Sequence, residues 1–128
     1  MNNELKVINC CAHPVSVFAG TVFDPQAGKS RGGTEILRLP PSGIVATATS
    51  AVEALPSLDI NGIPIPTCKR AFVKLTALPS EGFCVVSSVY ANAAKELGHD
   101  TTRLLTPYGN VIDNDGRIIG CTGLVRCA

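Results

Sequence analysis

The stretch FCVVSSVYANAAKELG, residues 83–98, changes its hydrophobic period halfway along. Its first four residues are all apolar, which is typical of a short buried strand. After the two serines, Val89, Ala93 and Leu97 recur at the spacing of one helical face. The sequence therefore predicts a strand that leads directly into a helix near residues 88–97.

This helix has capping residues at both ends. Ser87 or Ser88 can accept a hydrogen bond from a free backbone N–H at its beginning. Gly98 can adopt the left-handed conformation that commonly ends a helix. No other segment shows a comparable helical period. A strand that runs into a capped helix also offers free backbone N–H groups to an anion.

The other segments are short apolar or alternating runs separated by Gly, Pro and Asn, and about eight short strands are expected from them. PPSG at residues 40–43 and the Asn61-Gly62 pair predict tight turns between neighbouring strands. Residues 24–33, DPQAGKSRGG, predict a surface loop; a phosphate-cradling loop is the alternative, although the P-loop spacing is missing. The predicted fold class is α+β: a mainly antiparallel sheet of short strands with one principal helix.

Length and composition restrict the class of protein. We expect a single domain over residues 1–128, because dividing the chain would leave each half short of core. With 45% apolar and 16% charged residues, the chain is too apolar to be disordered. A net charge of +1 without a basic run argues against DNA binding. There is no apolar run of membrane-spanning length, and MNNELKVINC is charged where a signal peptide is apolar, so we expect a cytoplasmic protein.

Six cysteines lie mostly in apolar, strand-like runs, and we expect reduced, mostly buried thiols rather than disulfides. The pattern contains no CxxC pair of the kind that zinc sites use. In CCAH, adjacent Cys10 and Cys11 would point to opposite faces of a strand, which separates them as ligands with His13. We therefore expect no metal and no cofactor.

The segment VIDNDGRIIGCTGL, residues 111–124, concentrates polar residues between two apolar runs. It begins like a calcium loop but lacks the later ligands and the terminal Glu, so a hairpin turn is predicted. His99 lies next to Asp100, which could orient it as a base, but no nucleophile motif accompanies them. The sequence therefore predicts a protein that is not an enzyme.

Four segments occur in an order that resembles a known family. They are INCCAHPVSVF, ILRLPPSGIVATA, FCVVSSVYANAAKELG and VIDNDGRIIGCTGL, and together they cover nearly the whole chain. The pattern is similar to that of the first-described family of phage Thoeris anti-defence proteins. The resemblance implies a sponge that binds a cyclic ADP-ribose signal without cleaving it; some members also capture cyclic oligonucleotides at a second site in a higher oligomer.

The resemblance also implies where the ligand lies. Phe83 and Asn92 look like the family's ligand-contacting aromatic residue and asparagine, although Tyr90 or Tyr108 could stack on the base instead. A sponge needs an aromatic plane for adenine, a polar group for the ribose or base edge, and cations for the pyrophosphate. A small domain of short strands can close such a site with a second subunit, so we expect a homo-oligomer.

The remaining ligand-binding candidates are charged. The candidate phosphate partners are Arg38, Arg103 and Arg117. Asp113 or Asp115 could accept hydrogen bonds from ribose hydroxyls. Ile112 departs from the family pattern, which has an arginine before the aspartate, and this increases the need for Arg103 or Arg117.

Two other functions stay open from the sequence. The first is a nucleotide hydrolase or phosphodiesterase that uses His99 with Asp100, or a metal held by Asp113 and Asp115. The second is a structural or assembly protein without a ligand, whose small-residue strands form subunit contacts.

Overall fold

The computed structural model describes residues 5–127 as one α-helix and ten β-strands. The elements in chain order are β1 (Val7–Asn9), β2 (Val15–Ala19), β3 (Val22–Asp24), β4 (Lys29–Arg31), β5 (Thr34–Leu39), β6 (Ala48–Ile60), β7 (Ile63–Leu75), β8 (Phe83–Val85), α1 (Ser88–Glu96), β9 (Leu104–Ile112) and β10 (Ile118–Arg126). The predicted α+β class with a single helix is confirmed. The helix begins at the predicted residue and ends one residue early.

Eight strands form one mixed sheet, in which the order β1-β8-β9-β10-β2-β5 is extended by β4 beside β9 and β3 beside β4. The prediction of a mainly antiparallel sheet is partly wrong. The pairs β1–β8, β8–β9, β10–β2 and β4–β9 run parallel. The parallel pairing of β8 with β9 follows from their connection. The helix α1 lies between them as a crossover, so both strands run in the same direction.

The helix packs on one face of this sheet. Ser87 Oγ accepts a hydrogen bond from the Tyr90 backbone N–H at 3.2 Å, as capping predicts. The helix-side core contains the following buried residues: Cys10, Ala46, Cys84, Val86, Tyr90, Ala91, Ala94 and Leu104. A second core covers the opposite face and contains Val15, Val17, Val85, Leu105 and Cys121. Because successive strand residues point to opposite faces, Cys84 and Val85 belong to different cores.

Strands β6 and β7 form a separate two-stranded hairpin, which we call the arm. Each strand is 13 residues long, so the expectation of short strands throughout is wrong here. The predicted Asn61-Gly62 turn is confirmed, with φ of 53° and 81°, which suit a type I′ turn. At the base of the arm, Tyr90 Oη donates to the Thr76 carbonyl oxygen at 2.7 Å and ties the arm to the helix.

The predicted hairpin at PPSG is wrong. β5 pairs with β2 and β6 pairs with β7, so the two strands on either side of PPSG do not meet. Residues 40–47 instead run beside the end of β1. Ser42 Oγ donates to the Asn9 carbonyl oxygen at 2.6 Å, and the Ala46 backbone N–H donates to the Cys10 carbonyl oxygen at 2.8 Å.

The predicted surface loop at residues 24–33 is partly wrong, because it contains β4 and forms a short hairpin with β3. Arg31 Nε lies 2.9 Å from Asp24 Oδ2, and its Nη1 donates to the Asp113 carbonyl oxygen at 3.0 Å. The Arg31 hydrogen bond, together with backbone donors, lowers the pKa of Asp24. These contacts hold the hairpin on the end of β9.

The helix does not have the length and apolarity needed to cross a bilayer, and residues 5–127 contain no other helix.

Candidate functional site

Phe83 lies in an open groove on the sheet face away from the helix. The groove has a volume of about 370 Å³ and is lined by Leu5, Phe83, Leu105 and Arg126. The guanidinium carbon of Arg126 lies 5.7 Å from the centroid of the Phe83 ring. Strand register brings Arg126 close to Phe83. Arg126 is opposite Leu105, and Leu105 is opposite Val85, which lies two residues after Phe83 on the same face. We call this the Phe83 groove.

The Phe83 groove combines an aromatic plane with a cation. Such a pair can stack a nucleobase on the ring and place a positive charge beside a phosphate. Arg126 was not among the residues predicted from the sequence. No local motif identifies it, because only the pairing of β9 with β10 brings the end of the chain next to β8.

Asn92 lies in a different pocket, on the helix face of the sheet. This pocket has a volume of about 220 Å³ and is lined by Ser88, Ala91, Asn92, Lys95, Thr101, Thr106, Val125 and Cys127. Asn92 and Lys95 are exposed on the helix, and Thr106 on β9 is buried beneath them. An amide, an ammonium group and hydroxyls can read the polar edge of a ligand. We call this the Asn92 pocket.

Phe83 and Asn92 lie on opposite sides of the main sheet. Phe83 packs against the core that contains Val85 and Leu105, whereas the helix that carries Asn92 packs over Cys84 and Leu104. Neighbouring strand residues point to opposite faces, so the sheet separates the two sites. One chain therefore does not present Phe83 and Asn92 to the same small molecule.

Arg103 is used largely inside the fold. Its Nη1 donates to the Gly82 carbonyl oxygen at 2.9 Å and its Nη2 to the Pro79 carbonyl oxygen at 3.2 Å. It also lines a cavity of about 380 Å³ together with His99 and Asp100. The arrangement fixes the connection between β7 and β8.

Asp100 is turned toward its own loop. Its Oδ1 accepts hydrogen bonds from the Thr102 backbone N–H at 2.9 Å and from Thr102 Oγ1 at 2.8 Å. The Thr102 donors lower the pKa of Asp100. This carboxylate therefore serves the turn after the helix. No hydrogen bond joins it to His99 in the part of the chain that the structure describes.

The predicted turn between β9 and β10 is confirmed, and Asp113 organises it. Asp113 Oδ1 accepts from the backbone N–H groups of Asp115 and Arg117, both at 2.9 Å. The turn lies at the far end of β9 from the Phe83 groove, a separation of about 25 Å along a nine-residue strand. Among residues 5–127, no group of three or more His, Cys, Asp or Glu side chains is arranged to hold a metal ion.

Arg38 lies on the edge strand β5, and its Nη1 is 3.9 Å from Glu35 Oε1 at the surface. The end of β5 lies near β1 and β8, because Asn9, which is opposite Val85, donates to the Leu39 carbonyl oxygen at 2.9 Å. Of the two alternative rings, Tyr90 is buried with its hydroxyl bonded to Thr76, and Tyr108 is half exposed on β9. The structure thus distributes the predicted ligand-binding residues over several regions of one chain.

The polar residues of the first motif also have partners within the fold. Asn9 is buried, and its Nδ2 donates to the carbonyl oxygens of His13 and Leu39, both at 2.9 Å. Its Oδ1 accepts from the Cys11 backbone N–H at 2.8 Å. This side chain therefore fixes the turn from β1 to β2 and the end of β5. The turn borders a surface groove of about 480 Å³ lined in part by His13, Ser16 and Asn110.

The cysteines of the described chain are free thiols, but only three of the six are buried, so the expectation of mostly buried thiols is partly wrong. Cys10, Cys84 and Cys121 are buried, and Cys68 is exposed on the arm. Burial, with the neighbouring Cys84, raises the pKa of Cys10 to about 11. Burial also raises the pKa of Cys11 and Cys121. These groups are small core residues rather than nucleophiles.

Comparison with models of known protein families, with curated proteins and with solved structures finds no match for this chain.

Proposed function

We propose that the protein is a phage anti-defence sponge that binds a cyclic ADP-ribose-type signal in the cytoplasm of the infected bacterial host and holds it uncleaved. The observation that carries the proposal is the Phe83 groove, where a half-buried ring lies 5.7 Å from a guanidinium carbon. The order of the four sequence segments adds support. In this role the protein is a binding protein rather than an enzyme.

The chemistry of the ligand matches the groups in the Phe83 groove. Adenine would stack on Phe83, a contact worth about 1–3 kcal/mol per base. Arg126 would lie beside the pyrophosphate, whose oxygens it can bind through two N–H groups. Arg126 lies over the Phe83 ring in the free protein, so adenine would reach the ring only as the guanidinium moves aside toward the pyrophosphate.

A second copy of the chain has a defined place in this proposal. The sheet separates Phe83 from Asn92 within one chain, so both residues could contact one ligand only if two copies contribute them. The Phe83 groove would come from one copy and the Asn92 pocket from its partner. A homo-oligomer would then be required for tight binding, and cyclic oligonucleotides could occupy a further site between copies.

The test is isothermal titration calorimetry with a cyclic ADP-ribose signal. We expect wild-type protein to bind stoichiometrically and Phe83→Ala to bind at least tenfold more weakly, since the stacking contact is lost. Arg126→Ala should show a similar loss. Phe23→Ala is the matched control, because this exposed aromatic residue lies on β3, away from the groove. Wild-type affinity in both groove variants would contradict the proposed site.

The fate of the ligand separates a sponge from a hydrolase. The signal is incubated with protein, the complex is filtered, and the nucleotide is released by heat and identified by mass spectrometry. Unchanged nucleotide is expected. Catalytic turnover that disappears in His99→Ala would instead assign a hydrolase, and absence of binding across a nucleotide panel would leave a structural protein.

A further inference from the structure

We propose that the arm is a contact surface for a second copy of this chain, and that the copies meet through one apolar face of β6–β7. The residues of this face are Leu55, Leu58, Ile60, Ile63 and Ile65, which we call the arm stripe. Their exposed fractions run from 38% for Ile65 to 60% for Ile63. Large aliphatic side chains in this number are unusual on one exposed face of a monomer.

Strand register places the stripe on one face. Ile60 is opposite Ile63, and Leu58 is opposite Ile65. Residues paired across a ladder share a face, and so do residues two apart on one strand. Leu55 joins them across the irregularity in β6, because its partner Thr67 is two residues from Ile65. Val52 and Asp59 point to the other face by the same rule.

The arm lacks the support that a hairpin needs. β6 is exposed along its length except at its first residue, which is half-buried. At about 3.4 Å per residue, a 13-residue strand is roughly 40 Å long, and an isolated two-stranded hairpin of this kind is marginally stable in water. Contacts of the helix and of Thr76 hold only the base. Stability of the outer half therefore requires a covering surface.

The size of the exposed surface fits a second copy. The chain exposes 8654 Å², whereas a compact monomer of 13.3 kDa exposes about 6,500 Å². The excess is roughly 2,000 Å² per chain, or about 4,000 Å² for two chains. Obligate homodimers bury about 2,000–5,000 Å² in total, so the excess is within that range. A contact between two arms with their neighbouring surfaces would bring the exposed area to that of a compact protein.

Charge and backbone chemistry favour a symmetric contact between faces. Beside the stripe, the same face carries Glu53 and Lys69, whose Oε2 and Nζ atoms lie 3.6 Å apart. Because the face carries one acidic and one basic side chain, two copies related by a twofold axis can place opposite charges against each other. Pro64 and Pro66 have no N–H, so the outer edge of β7 lacks donors for an added strand at these two positions.

The experiment measures mass in solution, without nucleotide, so its result is separate from that of the binding tests. Light scattering after size exclusion should give wild-type protein at least twice the mass of one chain. Ile63→Glu should shift the population to monomer, because it places two like charges in an apolar contact. Val52→Glu is the matched control, since Val52 is 59% exposed but lies on the opposite face. It should keep the wild-type mass.

Hydrogen exchange on wild-type protein supplies a second measurement in case Ile63→Glu does not fold. Amides at residues 51–70 should exchange faster on dilution, whereas amides of β9 should not. Wild-type protein that is monomeric across the accessible concentrations would overturn the proposal. An equal change of mass in Ile63→Glu and Val52→Glu would also overturn it. A monomer that sediments with neutral lipid vesicles would do the same.

Discussion

At the scale of single residues, most polar side chains that stand out in the sequence have partners inside the fold. Asn9 holds two carbonyl oxygens, Asp113 closes the β9–β10 turn, and Arg103 clamps the connection before β8. Each satisfies backbone groups that would otherwise lie unpaired in a short connection. Phe83 and Arg126 differ, because they face an open groove.

Cys10 predicts a loss of stability at alkaline pH. Its pKa in the folded protein, about 11, is above the ordinary value of 9.0, because burial disfavours the thiolate. The folded state therefore holds its proton more tightly, so the stabilisation is complete below pH 9 and is lost as the pH rises toward 11. Urea unfolding across this range should show a falling free energy of unfolding. Cys10→Ala should flatten the decline, with Cys68→Ala as the control for loss of a thiol; an equal decline in Cys10→Ala contradicts this account.

Gly120 and Gly123 predict different tolerance of a methyl group on the same strand. A Cβ at Gly120 would lie 2.6 Å from the Ser16 carbonyl oxygen and 2.5 Å from the Phe18 ring. Backbone cannot move away cheaply, so Gly120→Ala should lower the free energy of unfolding by about 1–3 kcal/mol. At Gly123 the three atoms nearest to the added Cβ belong to the half-exposed Tyr108 side chain, which can turn aside. Chemical denaturation of both variants checks the order, and equal losses would rule out the backbone clash as its cause.

At the scale of elements, local patterns predicted those structures that local chemistry determines. The change of period at residues 83–98 located β8 and α1, and Asn61-Gly62 located the arm's turn. The PPSG segment misled, because a proline–glycine turn signal does not show which strands pair across it. Residues 40–47 are held by contacts to β1, and these are not visible in the local sequence.

The helix cap gives a prediction at this scale. Ser87→Ala removes the acceptor for the Tyr90 backbone N–H and should lower the free energy of unfolding by about 1 kcal/mol. Ser88→Ala is the control, since Ser88 is the first helical residue and the cap is Ser87. Thermal or urea unfolding measures both. A larger loss in Ser88→Ala than in Ser87→Ala would show that the cap is assigned to the wrong serine.

At the scale of the whole molecule, the exposed apolar surface of the arm predicts how the melting temperature depends on protein concentration. If copies pair through the arm stripe, dissociation accompanies unfolding, and the melting temperature depends on protein concentration. We expect the melting temperature of wild-type protein to rise by several degrees over a hundredfold increase in concentration. Differential scanning calorimetry measures this rise. Ile63→Glu should melt at a temperature independent of concentration, whereas a wild-type melting temperature that does not move would argue against pairing.

The candidate site shows how far sequence reasoning reaches. Phe83 lies in a groove with an arginine, an arrangement that suits a nucleotide, but the arginine is Arg126 and was missed. Arg103 was selected for its charge, although its guanidinium group donates to two carbonyl oxygens. Composition identifies cations, but only the pairing of distant strands determines which cation lies next to which ring.

The sequence by itself determined the α+β class, the single helix with its cap, and the turns at Asn61-Gly62 and Asp113, because hydrophobic period and turn chemistry act over a few neighbouring residues. Tertiary structure alone decided the parallel pairings, the separation of Phe83 from Asn92 by the sheet, and the projecting arm. These features depend on contacts between residues far apart in the chain, which no local pattern encodes.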